Sequence, residues 1–385
     1  MSDDRGIIRT VSSFGSPISR RRLLHASAQA AVGLSVVPAL ASTNIADGAV
    51  GGDIDYFWYE GYDMLGLAPM DAWMEEAGVT MRSSYISANA DVIAKLRRPG
   101  GVTWDLIGTF NGLARRLEDL VIPISPDEVP LSHKIHPTFA DERFFKNENG
   151  DWILVPFTWG RSVTNYLPDR IDPPQSWFDL LKDEYRGHVG WGGGPDGGMV
   201  IAGRTLGIES TPLYSRQEFD EVMNFMRKMR DQVPAVGMSF GDVAELMASG
   251  DIWCTYNGWE PVSAWANDRG ANAANVEPKE GGIGWVEAFA IPEISDNKAT
   301  ALAFINKVLE PEVQAAIGSN IQVAVVNMDA VPLMDEKSAS LYDYGDLENA
   351  LARSPLTPWP PDETTDEVVG YLEWLNEWAK LKAGG

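Results

Sequence analysis

The sequence predicts an α/β fold, and three observations carry that prediction. Short runs rich in β-formers alternate with helical stretches along most of the chain, an order that builds layers joined by crossover connections. The 385 residues are 44% hydrophobic and include 14 Trp, 11 Tyr and 13 Phe, enough for two medium lobes or one large domain. The stretch Gln217 to Arg230 places Phe219, Val222, Met223, Met226 and Met229 at helical spacing, the pattern of a helix laid on a core.

The first segment lies outside that fold. Ser19-Arg20-Arg21-Arg22-Leu23-Leu24 precedes an uncharged stretch that ends Ala39-Leu40-Ala41. The apolar run from Ala26 to Val37 is too short and too rich in alanine to span a bilayer. Residues 1–41 therefore read as a twin-arginine signal with a small-residue cleavage site, cut near Ser42. No cysteine stands at the new N-terminus to take a lipid anchor. The expected location of the mature product is a bacterial periplasm.

The elements follow in order. Residues 42–53 form a small, polar tail. Ile54 to Tyr59 is a strand, Pro69 to Ala77 a helix stopped by Gly78, and Asp91 to Arg98 a second short helix ended by Pro99-Gly100-Gly101. Trp104 to Gly108 is a buried strand, and Trp152 to Pro156 is a strand that leads out of a first lobe. Trp177 to Leu181 opens a short helix. Val189 to Gly193 is a strand that runs into the loop Gly192-Gly193-Gly194-Pro195-Asp196-Gly197-Gly198, and Met199 to Leu206 is helical. Phe240 to Ala248 is a helix stopped by Gly250, with Ile252 to Tyr256 returning as a strand. Gly284 to Pro292 is again a strand. Thr300 to Leu309 and Glu312 to Ile317 are helices joined at Pro311. Thr365 to Lys382 carries Val368, Val369, Leu372, Leu375, Trp378 and Leu381 on one stripe of a docked terminal helix.

Charge and cysteine usage narrow the function. The formal net charge is −24, and the first segment, with Arg5, Arg9, Arg20, Arg21 and Arg22 against Asp3 and Asp4, leaves the remainder more acidic still. Such a chain does not bind nucleic acid or anionic lipid, which require basic surface. It attracts cationic solutes, or it is a salt-adapted surface. Cys254, the single cysteine, lies in the apolar run Ile252 to Tyr256 and reads as a buried inert thiol. His133 and His136 have no third ligand nearby and read as surface residues rather than a metal site. No cofactor motif is present.

Five stretches, in order, carry a family resemblance: Tyr56-Phe57-Trp58-Tyr59-Glu60-Gly61-Tyr62, Trp104-Asp105-Leu106-Ile107, Leu154 to Gly160, Pro278 to Pro292 and Leu381-Lys382-Ala383-Gly384. The chain resembles the periplasmic spermidine/putrescine-type substrate-binding proteins of ABC transporters. The resemblance implies a two-lobe periplasmic-binding-protein fold of type II, with hinge strands crossing between the lobes and a ligand held in the cleft. Lobe one is expected over 54–157 with 286–330, and lobe two over 158–285 with 331–385. The implied partners are a small-molecule amine, a membrane permease and the twin-arginine export machinery, with the receptor acting as a monomer.

The same resemblance points to site residues. Trp58, Tyr59 and Tyr62 match aromatic contacts of lobe one, and Tyr256 matches a lobe-two tryptophan. Trp285 matches the hinge-side tryptophan, and Glu287 stands where the family has an amine-binding aspartate. Aromatic faces hold methylenes and cations, and carboxylates anchor ammonium groups. The departures bear on the ligand. The family's two lobe-two acids fall on Gly194 and Gly197, and Gly61 takes the acidic position of the first loop. The polar pair of the second loop becomes Phe110 and Gly112, with Asn111 between. Asp196, Glu60 or Glu260 are the candidates to replace the missing carboxylates.

The glycine loop 192–198 supplies the opposing reading. Glycine-rich backbone before a helix suits an anion, which would make the ligand a zwitterion or a quaternary amine held at two ends. The alternative is a tightly packed turn. The competing class is a secreted hydrolase built on paired carboxylates. Against an enzyme stand the missing Gly-x-Ser-x-Gly elbow, His-Glu-x-x-His helix and reactive cysteine.

Overall fold

A computed structural model describes residues 49–86, 90–98, 103–141 and 143–384. The twin-arginine segment and the cleavage site near Ser42 lie outside the described residues.

Among the described residues ten strands set the frame: β1 Gly52–Trp58, β2 Val79–Tyr85, β3 Leu106–Phe110, β4 Val155–Tyr166, β5 Val189–Trp191, β6 Cys254–Tyr256, β7 Gly258–Trp259, β8 Ala274–Val276, β9 Gly284–Ala290 and β10 Ala324–Val325. Their order is β2-β1-β3-β9-β4-β6-β5, with β7, β8 and β10 added along β4. β1 pairs in parallel with β2 and β3, as crossover helices require. One such crossover is Ala68–Ala77, which ends at Gly78 in the left-handed region (φ 65°), the conformation that glycine adopts without a Cβ penalty.

β4 is the longest strand and belongs to two sheets. Its first half, Val155 to Arg161, pairs antiparallel with β9, and Trp159 and Thr158 also pair with β10. Its second half pairs with β7, β8 and β6. The first sheet is β2-β1-β3-β9 with the start of β4. The second is the end of β4 with β6, β5 and β8. A single strand thus crosses between two layers, and the expected strand at Trp152 to Pro156 overlaps only its first two residues, Val155 and Pro156. The run to Tyr166 stays buried up to Asn165, which is why alternation did not mark it.

Helices cover both sheets. The helix Arg216–Arg230 opens with a capping box, in which the Ser215 backbone N–H donates to Glu218 Oε2 at 2.8 Å. It buries Phe219, Val222, Met223, Phe225, Met226 and Met229. The helix expected at Met199 begins earlier, at Pro195, and runs to Thr205. The terminal helix is Tyr371–Ala383 rather than Thr365 to Lys382, and its buried stripe is Tyr371, Trp374, Trp378 and Leu381, with Leu372 exposed. Thr365 and Val368 form a turn instead, and Val369 N–H donates to Tyr214 O at 2.8 Å, so those backbone groups are taken from the helix. Residues beyond 330 first pack on the first half of β4: the rings of Tyr342 and Tyr344 lie 5.5 and 6.1 Å from Trp159, and Val325 N–H donates to Tyr344 OH at 3.1 Å.

Candidate binding site

β9 supplies the floor of the site. Trp285 and Glu287 are two residues apart, so they share one face of the strand. Both are half-buried, while Val286 between them is fully buried. Two glycines let the flanking indoles lie close to the sheet. A Cβ at Gly108 on β3 would stand 2.2 Å from Trp58 Cγ, and one at Gly160 on β4 would stand 2.2 Å from Trp285 Cζ2. A glycine inside a strand marks such an approach.

The Glu287 carboxylate sits among rings. Trp58 Nε1 donates to its Oε2 at 2.7 Å. Among the described residues no basic side chain pairs with it. Burial pushes its pKa up to about 8, against the lowering pull of the Trp58 bond. Tyr59 packs edge-on against Trp58 at 4.9 Å, and Tyr62 edge-on against Phe157 at 6.0 Å. The loop that carries them is braced by Tyr62 N–H to Tyr59 O at 3.3 Å and by Tyr56 OH to Tyr62 O at 2.9 Å. Burial first, and then the charge of Glu287, hold the phenols of Tyr59 and Tyr62 well above the usual range.

The second lobe faces this loop with further acid. Tyr59 also lies in the field of Asp196 and Asp91. Asp196 sits in the first turn of the helix Pro195–Thr205, and its Oδ1 accepts from Tyr371 OH at 2.7 Å. Tyr371 in turn stacks on Trp359, ring to ring at 4.4 Å. The cleft is therefore acidic and aromatic on both sides.

Of the residues expected from sequence, Trp58, Tyr59, Tyr62, Trp285 and Glu287 come together, with Asp196 opposite. The others lie elsewhere. Tyr256 is fully buried in the second lobe between Trp177, Trp191 and Phe225, and its hydroxyl donates to Gly198 O at 2.6 Å. It is a core residue, and the expected contact with a ligand is corrected. Asn111 is buried and both amide ends are engaged: Oδ1 accepts from Val286 N–H at 2.9 Å and Nδ2 donates to Thr357 O at 3.4 Å. It braces β9 rather than facing the cleft. Glu60 is exposed on the first loop. Glu260 is fully buried under Arg161, whose Nε donates to Oε1 at 3.2 Å, and burial raises its pKa to about 7 despite that partner. It is committed to the lobe crossing and does not stand in for a missing ligand carboxylate.

The glycine loop is packed, not open. A Cβ at Gly192 would stand 2.5 Å from Phe240, and one at Gly197 would stand 2.3 Å from Asn257 Oδ1. Close packing accounts for these glycines, and the acidic Asp196 in the first helical turn opposes an anion there. Sequence reasoning missed Asp91, Tyr371, Gly108 and Gly160. Gly108 closes the predicted strand Trp104 to Gly108 and Gly160 lies beyond the predicted Trp152 to Pro156, so neither glycine stood out in the sequence.

Comparison with known proteins agrees with this architecture. The profile of the bacterial extracellular solute-binding proteins matches residues 68–340. A spermidine/putrescine-binding periplasmic protein of Salmonella typhimurium is 27% identical over 322 residues, covering 82% of this chain and 87% of that protein. A putrescine-binding periplasmic protein of Escherichia coli is 23% identical over 333 residues, covering 80% and 86%. The TpPotD lipoprotein of Treponema pallidum superposes with a TM-score of 0.72 at 16% identity, over 86% of this chain and all of that one. The Streptococcus pneumoniae spermidine/putrescine substrate-binding protein does so at 0.67 and 19%, over 87% and 98%. The fold is the two-lobe fold of periplasmic binding proteins, and the chain belongs to the bacterial extracellular solute-binding proteins.

Proposed function

We propose that this protein is the periplasmic receptor of an ABC importer that binds a small cationic amine of the putrescine or spermidine class and hands it to a membrane permease. The observation that carries the reading is Glu287, a carboxylate embedded in rings without a basic partner among the described residues. A half-buried acid in that state gains from a cation delivered by a ligand, and the faces of Tyr59, Tyr62 and Trp285 suit its methylenes and charge. Curated relatives named for spermidine and putrescine bind the same class.

The protein acts by binding and release rather than catalysis. Lobe one comprises 54–157 with 286–330 and lobe two 158–285 with 331–385, and β4 crosses between them. Closure about β4 is a hinge motion. The receptor works as a monomer in the periplasm, and the arginines at 20–22 direct twin-arginine export. No helix among the described residues is long and apolar enough to cross a membrane.

Calorimetric titration of ligand-stripped protein with putrescine, spermidine, choline, glycine betaine and 4-aminobutyrate tests the reading. Binding of a polyamine supports it. Binding of only the zwitterions or choline replaces it with a different specificity on the same fold.

A further inference from the structure

The first lobe sends one cation of its own across the cleft. Arg116 lies in the short helix Ala114–Leu117, directly after β3 and the Asn111 turn. Its guanidinium is nearly buried and pairs through Nε with Asp362. Nη2 donates to Pro360 O at 2.7 Å. Its Cζ stands 4.9 Å from the Tyr371 ring centroid and 5.6 Å from that of Trp359. The receiving pocket is thus two stacked aromatic faces, a carboxylate and a carbonyl, which is the chemistry that holds an organic cation.

This pocket continues the ligand site. Glu287 and Tyr59 lead to Asp196, Asp196 is bonded to Tyr371, and Tyr371 carries Arg116 on its ring. Asp196 and Asp362 thus stand on either side of the Tyr371–Arg116 contact, and Asp362, the far station from Glu287, is filled by the chain itself. We propose that Arg116 is a specificity-determining residue, a resident cation that occupies the far station so that the cleft takes a short diamine and excludes a triamine. A third ammonium directed at Asp362 would meet a like charge already seated there, and like charges brought together at a binding surface oppose the wrong partner.

The inference rests on the amine reading, and its test separates the two. Putrescine and spermidine are titrated into the wild type, Arg116→Ala and Arg116→Lys, with folding of each variant checked by its thermal midpoint. The wild type is expected to prefer putrescine by about tenfold or more. Arg116→Ala is expected to remove most of that preference by gaining spermidine affinity, while Arg116→Lys, which keeps the charge, retains it. Added methylguanidinium should restore the preference in Arg116→Ala by refilling the pocket. Equal weakening of both amines in Arg116→Ala would make Arg116 a latch between lobes and overturn the assignment. So would an unchanged ratio, or a wild type that favours spermidine. A wild type that binds neither amine overturns the amine reading itself, and this inference with it.

Discussion

Glu287 concentrates the chemistry at the scale of single residues. Burial pushes its pKa up to about 8, which couples amine binding to release of its proton near neutral pH. An ammonium ligand requires the carboxylate, so amine affinity should rise roughly tenfold per pH unit between pH 6 and 8 and level off above. Stability of the ligand-free protein runs the other way. The folded state holds this proton more tightly than the unfolded chain, whose carboxyl titrates near 4.5. The stabilisation is full below that value and is lost as pH rises through about 8. Glu287→Gln should weaken amine binding at pH 8 by about 2–5 kcal/mol, the range for cutting one side of a buried charge pair, and should flatten both pH dependences. Calorimetry and thermal melts across pH read both, and an unaltered affinity would remove Glu287 from the site. Tyr256→Phe is the contrasting case. Its hydroxyl serves only core bonds, so the variant should lose about 1 kcal/mol of stability with amine affinity intact.

At the scale of elements, the strands place the indoles. β4 passes under Trp285 at Gly160 and β3 passes under Trp58 at Gly108. Gly160→Ala should displace Trp285, because overpacking a tight contact costs about 1–3 kcal/mol. The expected readout is a lower thermal midpoint together with weaker amine binding. Loss of stability with unchanged affinity would show that Trp285 is wall rather than contact. Asn111 does its work through β9, holding Val286 N–H in register beside Glu287. The helix from Pro195 brings Asp196 to the cleft while its glycines close-pack on Asn257, so this element delivers acid to the site rather than an anion cradle.

The two sheets meet at β4, the crossing about which the proposed closure would turn. Arg161 joins Glu260 to Glu277, and Glu277 also takes Arg353 and Ser354 from the C-terminal segment. Arg161 and Glu260 are buried at this crossing and Glu277 is nearly so, while Arg353 is exposed, and removal of one buried partner strands a charge. A ligand that binds only the closed, folded protein should raise its stability by about 2.7 kcal/mol at a hundredfold excess over Kd, visible as a shifted thermal midpoint. On the cellular scale, Arg20→Lys with Arg21→Lys should trap the precursor inside the cell, seen by fractionation. Normal export of that double variant would exclude the twin-arginine route.

The sequence by itself determined the α/β class and most helices to within a few residues, and it placed Trp285 and Glu287 on one strand. Each is a local matter: periodicity, caps and a contiguous motif hold their meaning without knowledge of the fold. The first-loop aromatics Tyr59 and Tyr62 were legible for the same reason. Tertiary structure decided what each remaining polar group faces. Tyr256, Glu260 and Asn111 are all polar residues near strand ends, and only packing shows that Gly198, Arg161 and Val286 have already claimed their hydrogen bonds. Asp91, Tyr371 and Arg116 lie far from Glu287 in sequence; Asp91 and Arg116 come to its margin within the first lobe and Tyr371 from the second. Sequence patterns report the environment a few residues away, whereas a binding cleft is made where distant segments meet and water is excluded between them.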